Sequence, residues 1–269
     1  MRTVTSRDGT TIAFEQLGQG PALILVDGAL QYRAFEQGAD QLAALLAQHF
    51  NVFRYDRRGR GGSTNTLPYA VAREIEDIEA LVEQAGGAAF VFGHSSGAAL
   101  AMEAAIELPG KIKGLAMYEA PYNDDQAAQH TWKQYTQRLG ELLAAGRRGD
   151  AVALFMMLVG ATAEQTDAIR HAPMWPPLEA VAPTLAYDHT ALLGEDAAVP
   201  TERATQVAVP TLVMDGGASF PFMHTTALAL ANVIPHAQHR TLADQTHEVA
   251  AEALAPVLVE FFSSSSSTA

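Results

Sequence analysis

Three times in the first half of the chain, a short, mostly apolar run is followed by a stretch with helical periodicity. ALILVD precedes FEQGADQLAALLAQH, NVFRYD precedes AREIEDIEALVEQAGG, and AAFVFG precedes SGAALAMEAAIELP. Strands this apolar must be buried on both faces, and strands separated by amphipathic helices are joined in parallel through crossovers. The expected fold class is therefore α/β, a doubly wound and mostly parallel sheet with helices on both faces. Alternation around Asp8-Gly9 predicts a hairpin with strands near residues 2–6 and 10–17, and KIKGLAMYEA adds a strand ending near Glu119.

The rhythm breaks between about Tyr122 and Ala208. That stretch reads as helical and strandless, punctuated by Gly146, Pro173, Pro176, Pro177 and Pro183, before VAVPTLVMDGG resumes the strand pattern. FMHTTALALANVI, HAQHRTLA and HEVAAEALAPVLVEFF then supply a closing helix, strand and helix. The expected organisation is a core from residues 1–121 and 209–262, a helical cap inserted over 122–208, and a disordered tail at 263–269, where SSSSSTA has no face to bury.

Composition narrows the function classes. The chain has 269 residues, 48% hydrophobic against 17% charged, which is enough for a large core and too few charges for a disordered chain. Its net charge of -13 repels phosphate backbones and anionic lipids, so nucleic-acid and membrane partners are not expected and a small neutral substrate is. The absence of cysteine removes disulfides, thiol catalysis and thiolate metal sites together. MRTVTSRDGTTIAFEQLG holds no basic segment followed by an apolar one, and no run of about 18 apolar residues occurs, so the expectation is a cytoplasmic monomer or homodimer.

The residues that promise chemistry are Gly93-His94-Ser95-Ser96-Gly97, between a buried strand pattern and a helix pattern. A strand that turns sharply into a helix needs small residues on either side of the turn, and that turn pushes the Ser95 hydroxyl out over the sheet. With this elbow, and with Tyr55-Asp56-Arg57-Arg58-Gly59-Arg60-Gly61-Gly62-Ser63 matching a D-x-R-G-x-G-x-S turn, the chain resembles the α/β-hydrolase superfamily over nearly all of residues 10–262. In that family the Asp56 turn is structural.

The resemblance implies an acyl-transfer enzyme with no cofactor. A serine hydroxyl needs a base to take its proton, and family order places that base after the last strand, at His247 in Gln245-Thr246-His247-Glu248. The common acid position is occupied here by Ser219, in Asp215-Gly216-Gly217-Ala218-Ser219, so the carboxylate must come from elsewhere. Glu119 matches the position used by some relatives at the end of the strand after the elbow helix. Asp215 is the alternative, and Asp124, Asp125 or no acid at all stay open. The oxyanion hole is expected from the backbone amides of Ser96 and Ala29, the latter in Val26-Asp27-Gly28-Ala29-Leu30, where Asp27 stands in place of the family's usual histidine. Asp27 is expected to be tied up by backbone donors or by Arg33 or Arg58.

In the 122–208 insertion, Trp132, Met157 and Trp175 are the expected substrate-lining residues, from a Met and aromatic mixture suited to an apolar pocket. No metal set stands out: His236 and His239 lie three apart near a strand without a third ligand. The expected activity is hydrolysis of a small, largely apolar ester, lactone or thioester. The alternatives are carbon-carbon hydrolysis of a diketone-like compound, or a receptor of the same fold without turnover.

Overall fold

The structure is a computed structural model that describes residues 1–34 and 37–265. Eight strands form one sheet in the order β1-β2-β4-β3-β5-β6-β7-β8. The strands β1 (Arg2–Thr5) and β2 (Thr11–Leu17) form the expected hairpin, closed by Ser6 N donating to Thr10 O at 2.8 Å, with Gly9 at φ +85°. β2 runs antiparallel to β4 (Asn51–Tyr55). All later pairings, through β3 (Ala22–Val26), β5 (Ala89–His94), β6 (Ile112–Tyr118), β7 (Thr211–Gly216) and β8 (Ala237–Leu242), are parallel.

The alternation of side chains along each strand divides the interior into two apolar layers. Ile24, Val26, Val91, Leu115, Met117 and Val213 face one layer, where α2 (Val71–Gln84), α3 (Ser96–Glu107) and α9 (Pro221–Val233) pack. Leu23, Leu25, Phe90, Phe92, Ala116, Tyr118 and Met214 face the other, against α1 (Gln37–Leu46) and α10 (Ala251–Ser265). In α10 the residues Leu254, Leu258 and Phe262 recur at helical spacing and are almost fully buried. Each contributes about 1.5–3 kcal/mol by leaving water, and Leu258→Ala would cost about 2–5 kcal/mol through lost contact and cavity.

Between β6 and β7 the described chain has no strand. It runs through α4 (Gln126–Ala144), α5 (Arg148–Leu158), α6 (Ala163–Arg170), α7 (Trp175–Val181), a 3-10 turn (Ala182–Thr184), a π turn (Tyr187–Leu192) and α8 (Thr201–Ala204). Asp125 caps α4 by accepting from Ala128 N at 2.9 Å, and Thr162 with Gln165 forms a reciprocal capping box on α6. These helices bury a third apolar cluster, including Tyr135, Leu139, Val152, Trp175, Leu178 and Leu185, which also takes in Leu30 from the loop after β3.

The tail departs from expectation. α10 continues through Ser263 and Ser264 to Ser265, because Phe261 and Phe262 anchor its last turn in the core and the Ser264 hydroxyl donates back to Phe261 O at 2.7 Å. The rest of the expected tail, 266–269, lies outside the described residues.

Candidate active site

Ser95 sits between β5 and α3 with φ 56° and ψ −128°, a conformation that non-glycine residues rarely adopt. The flanking glycines make it possible: a Cβ on Gly93 would lie 2.3 Å from Gly97 O, and one on Gly97 would lie 2.1 Å from Val26 O. α3 therefore starts directly against the end of β3. The Ser95 amide donates to Tyr118 O at 2.9 Å, which hangs the elbow on the end of β6.

Glu119 is the next residue along, also at positive φ (49°), with its amide donating to Met214 O at 3.0 Å. Its carboxylate is buried and accepts three hydrogen bonds: from Gly216 N at 2.8 Å on Oε1, and from the Ser219 hydroxyl at 2.9 Å and His247 Nδ1 at 2.7 Å on Oε2. An ionised carboxylate only accepts, so it fixes the His247 proton on Nδ1 and leaves Nε2 with a free lone pair. The Ser219 hydroxyl thus supports the Glu119 carboxylate, which reaches in from the neighbouring strand.

Asp215, the alternative acid, does not approach His247. One residue before Gly216 on β7, it shares the strand face of Val213 and points toward α9, where it meets His224 Nδ1 at 3.0 Å, His239 Nε2 at 2.6 Å and the Thr241 hydroxyl at 3.1 Å. Asp124 is engaged with Val199 N and Asp125 with the start of α4.

The His94 ring lies with its centroid 4.8 Å from that of His247, tilted by 38°, and its Nε2 meets His247 O at 3.0 Å. A carbonyl only accepts, so His94 carries its proton on Nε2. Burial, with the neighbouring His247, pushes its pKa down to about 3 and keeps it neutral. Tyr118 adds a second tether by donating its hydroxyl to Thr246 O at 2.5 Å.

On the other side of Ser95, the loop after β3 passes so close that a Cβ on Gly28 would lie 3.0 Å from Ser95 Cβ. This loop is held by arginines from the Asp56 turn: Arg57 donates to Asp27 O at 3.2 Å, and Arg60 to Gly28 O at 2.5 Å. In a trans peptide the N–H points opposite to the C=O, so Arg60's grip on Gly28 O turns the Ala29 N–H away from Arg60. Ser96 is the first residue of α3, and its N–H has no partner within the helix. The Ser96 hydroxyl donates to Asp188 Oδ1 at 2.9 Å.

Asp188, in the π turn, has zero exposure and binds Arg57 at 2.6 Å and Arg60 at 2.5 Å. Burial raises its carboxyl, but Arg57 and Arg60 outweigh that and hold it below the ordinary carboxylate value. Sequence reading missed this link, although an Asp-His pair at 188–189 inside an apolar helical stretch was a signal.

Two expectations change here. Asp27 is tied to neither Arg33 nor Arg58, because Arg33 is committed to Asp56 and Glu15, and Arg58 to Asp77 and Asp8. Burial pushes the Asp27 carboxyl up to about 6 against the opposing pull of Arg54, Arg60 and Arg57. Of the three expected lining residues, Trp175 is 5% exposed in the helical segment's own core beneath the Arg170 guanidinium, so it packs that segment instead of lining a site. Met157 is 45% exposed at the outer end of α5. Trp132 is partly buried, donates to Gly194 O at 3.0 Å, and meets the His189 ring edge-on beside Tyr135.

A cavity of about 680 Å³ lined by Tyr32, Arg33, Asp56 and Pro177 includes neither Ser95, Glu119 nor His247, and its Arg33 is paired with Glu15 and Asp56. Among the described residues no helix is long and apolar enough to cross a membrane.

Known proteins share this fold. An alpha/beta hydrolase from Sphaerobacter thermophilus is 52% identical, with TM-score 0.85 over 97% of this chain and 100% of its own. A thermophilic esterase from Thermogutta terrifontis, solved with malate bound, shares the fold at 21% identity and TM-score 0.73 over 98% of both chains. A pimeloyl-[acyl-carrier protein] methyl ester esterase of Nitrosospira multiformis is 32% identical over 107 residues, 38% of this chain; the match spans 40% of that relative's length. The model of the alpha/beta hydrolase family matches residues 24–252, and the chain belongs to that family.

Proposed function

We propose that this hydrolase cleaves a small, largely apolar carboxylic ester, lactone or thioester through an acyl-enzyme on Ser95. The observation that carries the reading is the 2.7 Å contact of Glu119 with His247 Nδ1, beside a serine presented on a strained elbow. His247 Nε2 accepts the serine proton as Oγ attacks the carbonyl carbon, and returns it to the leaving group. Glu119 holds the tautomer and stabilises the imidazolium. The amides of Ser96 and Ala29 receive the charge that develops on the carbonyl oxygen.

The helices from Gln126 to Ala204 act as a cap whose Asp188 locks it to Ser96 and to the Arg57–Arg60 turn. The contribution of Leu30 and Ala29 to the cap's apolar cluster favours an apolar acyl group over a charged one. The relative that is a pimeloyl-[acyl-carrier protein] methyl ester esterase supports ester hydrolysis as the reaction class.

The test is Ser95→Ala assayed on p-nitrophenyl esters of increasing chain length, on diketones, and for fluorophosphonate labelling. Ester turnover and labelling should both vanish with Tm near wild type. Ester turnover that survives in the variant overturns the reading. Wild-type turnover of diketones without esters moves the assignment to carbon-carbon hydrolysis, and ligand binding with no labelling of Ser95 moves it to a receptor.

A further inference from the structure

Asp215, His224 and His239 form the one group among the described residues whose side chains present three metal-ligating atoms together, all within 4.8 Å of one another. They come from three different elements, β7, α9 and β8, so nothing in their sequence spacing resembles a ligand motif. We propose that these three residues form a binding site for a divalent transition metal of the zinc class, separate from the Ser95–His247–Glu119 site.

The argument starts from charge. The Asp215 side chain is 1% exposed, yet its ion-pair partners are two histidines and no permanent cation. The nearby Arg240 is paired with Glu260 instead. A buried carboxylate without a fixed counter-charge is costly, and coordination to a metal is one standard way of compensating it.

A tetrahedral zinc at about 2.0–2.2 Å from each ligand separates neighbouring ligand atoms by about 3.3 Å. Asp215 Oδ1 to His239 Nε2 is 2.6 Å and Oδ2 to His224 Nδ1 is 3.0 Å, so a metal has to open each of these contacts by well under 1 Å, while the three ligand atoms, now within 4.8 Å of one another, draw together around it.

A metal-bound imidazole carries its proton on the ring nitrogen away from the metal, so the atom of each ring that now faces Asp215 would serve as the ligand. The Thr241 hydroxyl, 3.1 Å and 3.3 Å from the two carboxylate oxygens, would remain as the outer hydrogen bond that orients the carboxylate. Exposure is graded from 1% at Asp215 through 21% at His239 to 48% at His224, which leaves an entry path and a fourth position on the His224 side.

The site lies directly behind the candidate acid. Asp215 precedes Gly216, whose amide holds Glu119 Oε1 at 2.8 Å, so a metal here would clamp the strand end on which the acid rests.

The experiment is titration of chelator-stripped full-length protein with Zn²⁺ by calorimetry and with Co²⁺ by visible absorption, alongside thermal melts. One equivalent should bind, with Co²⁺ giving the absorption of a four- or five-coordinate ion. Tm should rise by about 5 °C when free Zn²⁺ is a hundredfold above Kd. His224→Ala, a half-exposed change that leaves the core intact, should abolish the stoichiometric site, as should His239→Gln. Thr241→Val should weaken it by about 10–100-fold. His247→Ala should leave it unchanged. Absence of stoichiometric binding, binding that survives His224→Ala, or binding lost in His247→Ala each overturns the proposal.

Discussion

The hydrogen bonds around Glu119 make the outcome of Glu119→Gln calculable. Wild-type Oε1 accepts from the Gly216 amide, and Oε2 accepts from Ser219 and from His247 Nδ1. A glutamine in the same place has one accepting oxygen and one donating NH₂. If the oxygen stays on Gly216 N, the NH₂ faces His247 Nδ1 and forces the ring into the Nε2–H tautomer, which cannot take a proton from Ser95. If the amide flips, His247 keeps its tautomer but the NH₂ opposes the buried Gly216 N–H, and that unsatisfied donor costs about 1–3 kcal/mol. The structure therefore selects the unproductive arrangement by about 5–150-fold, and the imidazolium loses its counter-charge as well. Together these give a loss in kcat on the order of 10³–10⁴, with KM little changed because Glu119 contacts histidine and not substrate. The assay is steady-state hydrolysis of a p-nitrophenyl ester, with ¹⁵N chemical shifts of the His247 ring reporting the tautomer. A Glu119→Gln enzyme within tenfold of wild type, or one that outperforms Asp215→Asn, refutes the reasoning.

Asp188→Asn should destabilise the fold by about 3–5 kcal/mol, because Arg60 and Arg57 are then buried without their shared carboxylate; a shift in urea midpoint equivalent to under 1 kcal/mol would contradict the clamp. His189 is buried against Tyr135, and burial pushes its pKa down to about 4, so between roughly pH 4 and 6.5 the unfolded chain holds a proton there that the folded chain refuses. Stability falls on acidification through that window, and His189→Gln should flatten the slope by about 1.4 kcal/mol per pH unit relative to wild type, measured by urea unfolding at a series of pH values. An unchanged slope would show that His189 titrates normally. Gly97→Ala should disrupt folding or the elbow, since its Cβ would lie 2.1 Å from Val26 O; normal Tm with full fluorophosphonate labelling would show that the start of α3 is looser than described.

The sheet was legible because its signal is local. Runs such as ALILV and AFVF can only be strands buried on two faces, and strict alternation then assigns each residue to one of the two layers. The elbow was legible for a similar reason: small residues around Ser95 are demanded by the backbone itself. Glu119 was reached by resemblance and by noticing that Ser219 is not an acid. That Ser219 would donate to Glu119, and that Asp215 would turn away from His247, followed from the parity of β7 and from the pairing of strand ends. The end of α10 was misjudged because low complexity was read as loss of structure, while two phenylalanines just before it carried the helix on.

By itself, the sequence determined the α/β class, since alternating apolar strands and amphipathic helices are patterns of residues near one another in the chain. Only the tertiary structure decided which carboxylate meets His247, what holds the loop beside Ser95, and that Asp215, His224 and His239 converge. Those contacts span 128 residues for Glu119 with His247, 131 for Arg57 with Asp188 and 24 for Asp215 with His239. Partners so far apart are chosen by strand order and register, because a buried charge must find its counterpart wherever the folded backbone has carried it.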